Sequence, residues 1–275
     1  MNRRTLAGRR FSINALRVDA DESALYAAAV GDEPKAGTAP AFYSVRLVAP
    51  LWRLIYQAPE LGTADQLVLH AEQRMLFHRD MRIGEVLDGH AEVRDVVGFG
   101  FGDAAIIRCT LTDTEGRSVV TMESTLAVQG SSGFPPDPRR FTQPSKKDIA
   151  VELSQYFGEE TPQQYADAAD DHNPLHLDDE LARQAGHPRR IVHGMCTLAT
   201  GISGLANKLD GRLSYVRARF TRPVLPDTAV DFTAHSSGSP NTYLVSAKHD
   251  GKAVLKSTWF RLSRIQPSTQ ALGGQ

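Results

Sequence analysis

Apolar side chains recur at helical spacing between residues 195 and 206, where Met195, Leu198, Ala199, Ile202 and Leu205 fall on one face. This is the longest helical pattern in the chain. Just after it the period changes. Across 213–220, Val216, Ala218 and Phe220 alternate with Tyr215, Arg217 and Arg219, the period-two pattern of a half-buried strand. Further strands are predicted at 229–234, 243–247 and 254–262, with Asp250-Gly251 as a hairpin turn. The first half predicts a matching set at 71–77, 91–97, 104–112 and 118–128. Its stretch 43–57 is apolar but interrupted by Pro50, which predicts a degraded or distorted helix. Thr161-Pro162-Gln163-Gln164 has the form of a capping box opening another helix. Gly98-Phe99-Gly100-Phe101-Gly102 precedes a strand-like run rather than a helix, so it predicts a hairpin and not a phosphate loop.

The pattern repeats. Tyr26-Ala27 with Asp32 six positions after the tyrosine is echoed by Tyr165-Ala166 with Asp171, at an offset of 139. Leu76-Phe77-His78-Arg79 is echoed by Arg219-Phe220-Thr221-Arg222 at an offset of 143, and Glu115-Gly116-Arg117 by Asp250-Gly251-Lys252. Three weak matches in the same order point to two copies of one structural unit. Each unit is expected to open with a helix and close with strands, in the α+β class. A single unit would leave a sheet edge open; two joined edge to edge give a continuous sheet and a pseudo-dimer. The expected division is a first unit at 1–129, a linker rich in Ser, Gly, Pro and Arg at 130–148, a second unit at 149–264, and a flexible tail at 265–275.

Composition narrows the possibilities. Hydrophobic residues make up 41% and charged residues 23% of the 275, as in ordinary globular proteins. A net charge of -1 offers no basic field, so nucleic acid is not an expected partner. No stretch approaches 18 consecutive apolar residues, so no membrane partner is expected either. The two cysteines, Cys109 and Cys196, lack disulfide or metal spacing and fit a reducing cytoplasm. Arg3-Arg4 has the arginine pair of an export signal, but Arg9 and Arg10 stand where its apolar run should begin, and the final residues form no peroxisomal address.

Chemistry concentrates in 165–201. Asp171 stands five residues before His176, with Asn173 and Pro174 between them. Pro174 cannot continue a helix and keeps Asn173 out of helical geometry, so the helix carrying Tyr165 must end near Asp171. Both side chains can then converge at one turn. A second turn, His193-Gly194, opens the long apolar helix. His172 and His176 read as metal ligands would lose their shared face at Pro174, and Asp171 and His176 could also be plain turn residues. An acid/base pair close to a helix-starting glycine favours a site.

Ala169-Asp170-Asp171-His172-Asn173-Pro174-Leu175-His176, followed by Ile191-Val192-His193-Gly194-Met195-Cys196-Thr197, resembles the signature of MaoC-like (R)-specific enoyl-CoA hydratases. Leu69-His70-Ala71-Glu72-Gln73 and 130–134 resemble the leading repeat of the double form, so the resemblance runs over about 5–263. It implies two tandem hot-dog repeats, each an antiparallel sheet wrapped around a long helix. It makes Asp171 and His176 the catalytic pair, Asn173 the residue shaping their turn, and the Gly194 N–H an oxyanion donor. Which of the pair is base and which acid stays open. His193 and Met195 at the second turn are candidates for substrate binding, as are Arg189 and Arg190 through coenzyme A phosphates. A structural His193 and a solvated arginine pair are the plainer alternatives, and Arg217 and Arg219 are equal candidates on the sheet.

The resemblance implies reversible syn hydration of a trans-2-enoyl-CoA to the (R)-3-hydroxyacyl-CoA, in fatty-acid, sterol or polyketide-type metabolism. The substrate would be an acyl-CoA or acyl-carrier thioester, with no metal and no separate cofactor. A homodimer of double hot-dogs or a pseudo-dimeric monomer is expected. The alternatives are a hot-dog thioesterase, in which His176 would be idle, and a non-catalytic acyl-thioester-binding module. Two departures matter. The family has Ser-Gly where this chain has Ala169-Asp170, and a second carboxylate facing the site would raise the pKa of the first; Asp170 is expected to point elsewhere. In the first unit Gly37 stands where the histidine would be, so one active site per chain is expected.

Overall fold

The computed structural model describes residues 3–61, 68–100, 102–129, 134, 135, 137 and 142–264. The expected tail at 265–275 and residues 130–133, 136 and 138–141 of the expected linker lie outside them. A short helix α1 (Arg3–Leu6) is followed by strand β1 (Arg10–Arg17) and helices α2 (Ala20–Val30) and α3 (Ser44–Tyr56). Strands β2 (Val68–Phe77), β3 (Val86–Phe99), β4 (Gly102–Thr112) and β5 (Ser118–Gln129) complete the first unit. The second repeats the order: β6 (Ile149–Phe157), α4 (Thr161–Ala169), α5 (Asp179–Gln184), α6 (Gly194–Ala206), then β7 (Arg212–Phe220), β8 (Thr228–Ser236), β9 (Thr242–His249) and β10 (Lys252–Ser263).

All ten strands form one antiparallel sheet in the order β1-β3-β4-β5-β2-β7-β10-β9-β8-β6. Read inward from either end, the two halves have the same topology, which is the pseudo-symmetry of the repeat. The seam is β2 against β7, with Glu72 opposite Arg219 and Arg74 opposite Arg217. Glu72 and Arg217 are both buried there, 3.4 Å apart, so each charge meets its opposite where water is excluded. At the far end of the second unit, Asp250 and Gly251 both take positive φ, as the hairpin turn requires.

The sheet curls around helices α3 and α6, giving two tandem hot-dog units. Helix α6 is buried almost throughout, from Met195 to Leu205. It can lie so close to the sheet because a Cβ at Gly201 would sit 2.1 Å from the Phe232 ring. Helices α2 and α4 meet at the pseudo-twofold, where the equivalent Tyr26 and Tyr165 bring their hydroxyls within 3.3 Å. Among the described residues no helix is long and apolar enough to cross a membrane.

Three expectations need correction. A strand precedes the first long helix of each unit, β1 before α2 and β6 before α4. Strands β1 and β6 escape the hydrophobic pattern because they are the sheet's edges, and none but Phe157 of their residues is buried. Helix α3 runs unbroken through Pro50. Losing one backbone hydrogen bond is offset by the face that packs inward, where Leu47, Val48, Leu51 and Ile55 are buried. Finally, the Thr161–Gln164 capping box does not form: α4 is capped by Glu160, which makes no side-chain capping bond.

Candidate active site

Helix α4 ends at Ala169, and Asp170 takes the left-handed conformation that turns the chain out of it. Asp171 follows on the surface of the turn. The Asn173 N–H lies 3.4 Å from the Asp171 carboxylate, and the Leu175 N–H donates to the Asn173 side-chain oxygen at 3.1 Å. These local bonds fold Pro174–His176 into a single 3₁₀ turn. Asn173 therefore shapes the turn that presents Asp171 and His176.

His176 is held from behind. Its Nδ1–H donates to the Ile191 carbonyl at 2.8 Å, which leaves Nε2 as the free nitrogen. His193, the residue before α6, stacks on it with ring centroids 3.7 Å apart. The His193 Nε2–H in turn donates to the Asp171 carbonyl at 3.0 Å. His193 thus touches both members of the pair and joins them through a ring and a backbone oxygen. It is itself buried, with its other face against Tyr165.

Asp171, His176, His193 and Gly194 line one wall of a cavity of about 1250 Å³ between the units. The first unit supplies the opposite wall from α3, through Val48, Ala49, Trp52 and Tyr56, and from the sheet. Gly194 begins α6, so its N–H is one of the unsatisfied amides at a helix start, where the helix dipole favours negative charge. A side chain at this position would press on Phe220, whose ring would lie 3.0 Å from an added Cβ. Glycine keeps that amide open to the cavity.

Burial dominates the local electrostatics. It lowers the pKa of His176 below its ordinary 6.5, against the opposing pull of the Asp171 charge and the Ile191 carbonyl. The imidazole is therefore neutral near pH 7. Burial also lowers His193 well below 6.5, with the adjacent His176 adding to the effect. His70, in the first-unit wall, is brought by burial to about 4. Its Nε2–H donates to Gln73 at 3.0 Å, and its ring packs 4.9 Å from Phe220.

A pH prediction follows from these three histidines. The unfolded chain binds their protons near 6.5, whereas the folded chain does so only at lower pH. Their contribution to stability is thus present above 6.5 and is lost as pH falls toward about 4. The thermal unfolding midpoint is expected to drop across that window, and His70→Asn should flatten part of the slope. A midpoint unchanged between the two pH values would contradict these directions.

The other expected residues separate into two groups. Met195 lines the cavity beside Gly194. Arg189 and Arg190 do not: both pair with Glu159, Arg190 at 2.6 Å, and the Arg190 N–H donates to Asp179. The cations that line the cavity instead include Arg53, Arg219, Arg222 and Lys256. Asp170 pairs with Arg46 and Arg53 of α3, and with Arg53 it lines the same cavity as Asp171, so it does not leave the site as expected. Asp32, the counterpart of Asp171, accepts from Asn207 at 3.3 Å and is absent from this cavity lining. Arg46 and Arg53 were legible only as charges seven residues apart on a predicted helix, which puts them on one face. His70 lay in a recognised sequence stretch without any signal of its place in the wall.

Residues 138–255 match the family model described as MaoC like domain. The chain is 26% identical over 208 residues to the peroxisomal multifunctional enzyme type 2 of Drosophila melanogaster, covering 72% of this chain and 35% of that one. It is 26% identical over 202 residues to the probable enoyl-CoA hydratase 2 of Dictyostelium discoideum, covering 70% and 68% of the two chains. The chain thus spans about a third of the fly protein and two thirds of the slime-mould protein. The crystal structure of a MaoC-like dehydratase from Phytophthora capsici superposes with a TM-score of 0.83 at 20% identity, covering 96% of this chain and 98% of that one.

Proposed function

We propose, from the match of residues 138–255 to the MaoC like domain model and from the geometry of the site, that the protein is a hydro-lyase adding water to trans-2-enoyl thioesters to give (R)-3-hydroxyacyl thioesters, and reversing that reaction. The observation that carries this reading is the turn itself. Asp171 and the free Nε2 of a neutral His176 share one end of an acyl-sized cavity, next to the open amide of Gly194. Names of relatives such as enoyl-CoA hydratase 2 support the same reaction class.

The chemistry uses each part. A water held between the Asp171 carboxylate and His176 Nε2 gives its hydroxyl to C3, and its proton passes through the pair to C2. As the C3–O bond forms, negative charge moves to the thioester oxygen. The Gly194 N–H at the start of α6 stabilises that charge, an interaction whose loss typically costs about 10²–10³ in rate. Both new bonds come from the face that presents the water, which makes the addition syn. The reaction is redox-neutral, and the groups of the chain perform it.

The carrier end of the thioester is assigned to the cavity's cationic residues Arg219, Arg222 and Lys256, which suit the phosphates of coenzyme A or of a carrier's phosphopantetheine. The cavity exceeds the usual range of small-ligand pockets, about 300–1,000 Å³, which leaves room for a long or bulky acyl group beside the carrier end. Purified protein is expected to remove the enoyl absorbance of trans-2-enoyl-CoA and give the (R) product, with kcat/KM rising from four-carbon to longer chains. Loss of enoyl absorbance to the (S) product would refute the stereochemistry. A steep preference for four carbons would refute the acyl assignment. Thiol release with the enoyl absorbance intact would replace the hydratase by a thioesterase.

A further inference from the structure

We propose that Asp170 is a positioning residue, an ionic clamp by which helix α3 of the non-catalytic unit fixes the turn carrying Asp171. The inference rests on the hydratase reading above. Its starting point is the backbone: Asp170 has φ 54 and ψ 41, a left-handed conformation that glycine adopts freely and other residues only against a steric penalty. The family resemblance puts glycine at this position. An aspartate there must gain something from its side chain, and the structure shows what.

The Asp170 Oδ2 accepts from Arg46 Nη1 at 2.9 Å and from Arg53 Nη1. Arg46 is itself anchored, with Nη2 2.6 Å from Glu22, which also accepts from the Tyr43 hydroxyl at 3.1 Å. The chain of contacts therefore runs from the core of the first unit to the catalytic turn of the second. Within it the Arg46–Asp170 pair is the shielded one, with 23% of each side chain's surface open to water, whereas Arg53 and Glu22 are exposed. The same helix provides Ala49, Trp52 and Tyr56 to the acyl wall.

On the other side of the turn, His193 donates to the carbonyl of Asp171. The turn through Asp170 and Asp171 is thus held from two directions, from α3 through the Asp170 carboxylate and from α6 through the His193 imidazole on the Asp171 carbonyl. Removing the first restraint leaves the Asp171 carboxylate free to rotate away from the water it shares with His176. An error of about 1 Å in such a group can cost about 10² in rate. The first unit, without a catalytic pair, contributes in this way to the chemistry as well as to the acyl wall.

The test is a cycle of Asp170→Gly, the double variant Arg46→Met with Arg53→Met, and their combination, assayed for enoyl-CoA hydration beside Asp171→Asn. Glycine is at ease at this φ, so Asp170→Gly should keep its unfolding midpoint. Its kcat is expected to fall about tenfold with KM changed less than about twofold, and the arginine variant should match it. The combined variant should be no worse than either, because all three break one clamp. Asp170→Asn, which tolerates the left-handed turn and still accepts from an arginine, should fall between Asp170→Gly and the parent. A kcat for Asp170→Gly within about twofold of the parent would overturn the clamp, as would losses that multiply in the combined variant. If the parent protein does not hydrate the substrate, or Asp171→Asn remains active, the hydratase reading fails. If both controls behave and Asp170→Gly is normal, the clamp alone fails.

Discussion

Asp171→Asn is expected to lower kcat/KM for enoyl-thioester hydration by about 10³, within the 10²–10⁴ typical of a lost general acid/base. The substitution is nearly isosteric. The asparagine oxygen can still accept from the Asn173 N–H, as the Asp171 carboxylate does at 3.4 Å, and the Asp171 carbonyl keeps its bond from His193. The turn should therefore survive, with an unfolding midpoint close to that of the parent. What is lost is the negative charge and the capacity to take a proton from water. Steady-state kinetics with a saturating series of enoyl-CoA, read beside thermal unfolding, separates the two. Near-parental turnover in a folded Asp171→Asn variant would remove Asp171 from the chemistry.

His176→Ala is expected to cost a similar factor, about 10²–10³ in kcat, for a different physical reason. It removes the imidazole nitrogen that His176 leaves free when Nδ1–H bonds Ile191. It also removes the bond to the Ile191 carbonyl and the stacking surface for His193. A buried hydrogen bond of this kind contributes about 1 kcal/mol, so the midpoint should fall as well. Because both residues act on one water, the Asp171→Asn, His176→Ala double variant should be about as slow as the slower single variant. Losses that multiply in the double variant would show that the two residues act in separate steps.

The fold was legible where side chains alternate on a buried surface. Strands β3 and β8 carry that alternation most regularly, and the repeat of strand-like runs in both halves implied the shared sheet. Strands β1 and β6 were invisible because an edge strand buries little and so leaves little pattern. Helix α3 was misjudged at Pro50 because a local rule met a stronger term, the burial of one entire helix face.

The site divides in the same way. Asp171, His176 and Gly194 stand at turns that proline and glycine mark locally, so their convergence was predictable from spacing. The clamp was not, because Arg53 is 117 residues from Asp170 and no local pattern records a contact of that range. Sequence reasoning predicted only that the Asp170 carboxylate should turn away from Asp171. Arg189 and Arg190 were attractive as cations between two turns, but Glu159 neutralises both. Besides Arg53 of α3, the cations lining the cavity include Arg219, Arg222 and Lys256, which come together from the end of β7, the loop after it and β10.

Turnover of a trans-2-enoyl-CoA in heavy-oxygen water, followed by mass analysis of the product, tests the central claim most directly. The account predicts one heavy oxygen at the C3 hydroxyl of an intact thioester, produced by the parent protein and not by Asp171→Asn. Heavy oxygen in the carboxylate of a released acid, or none in any product, would contradict it.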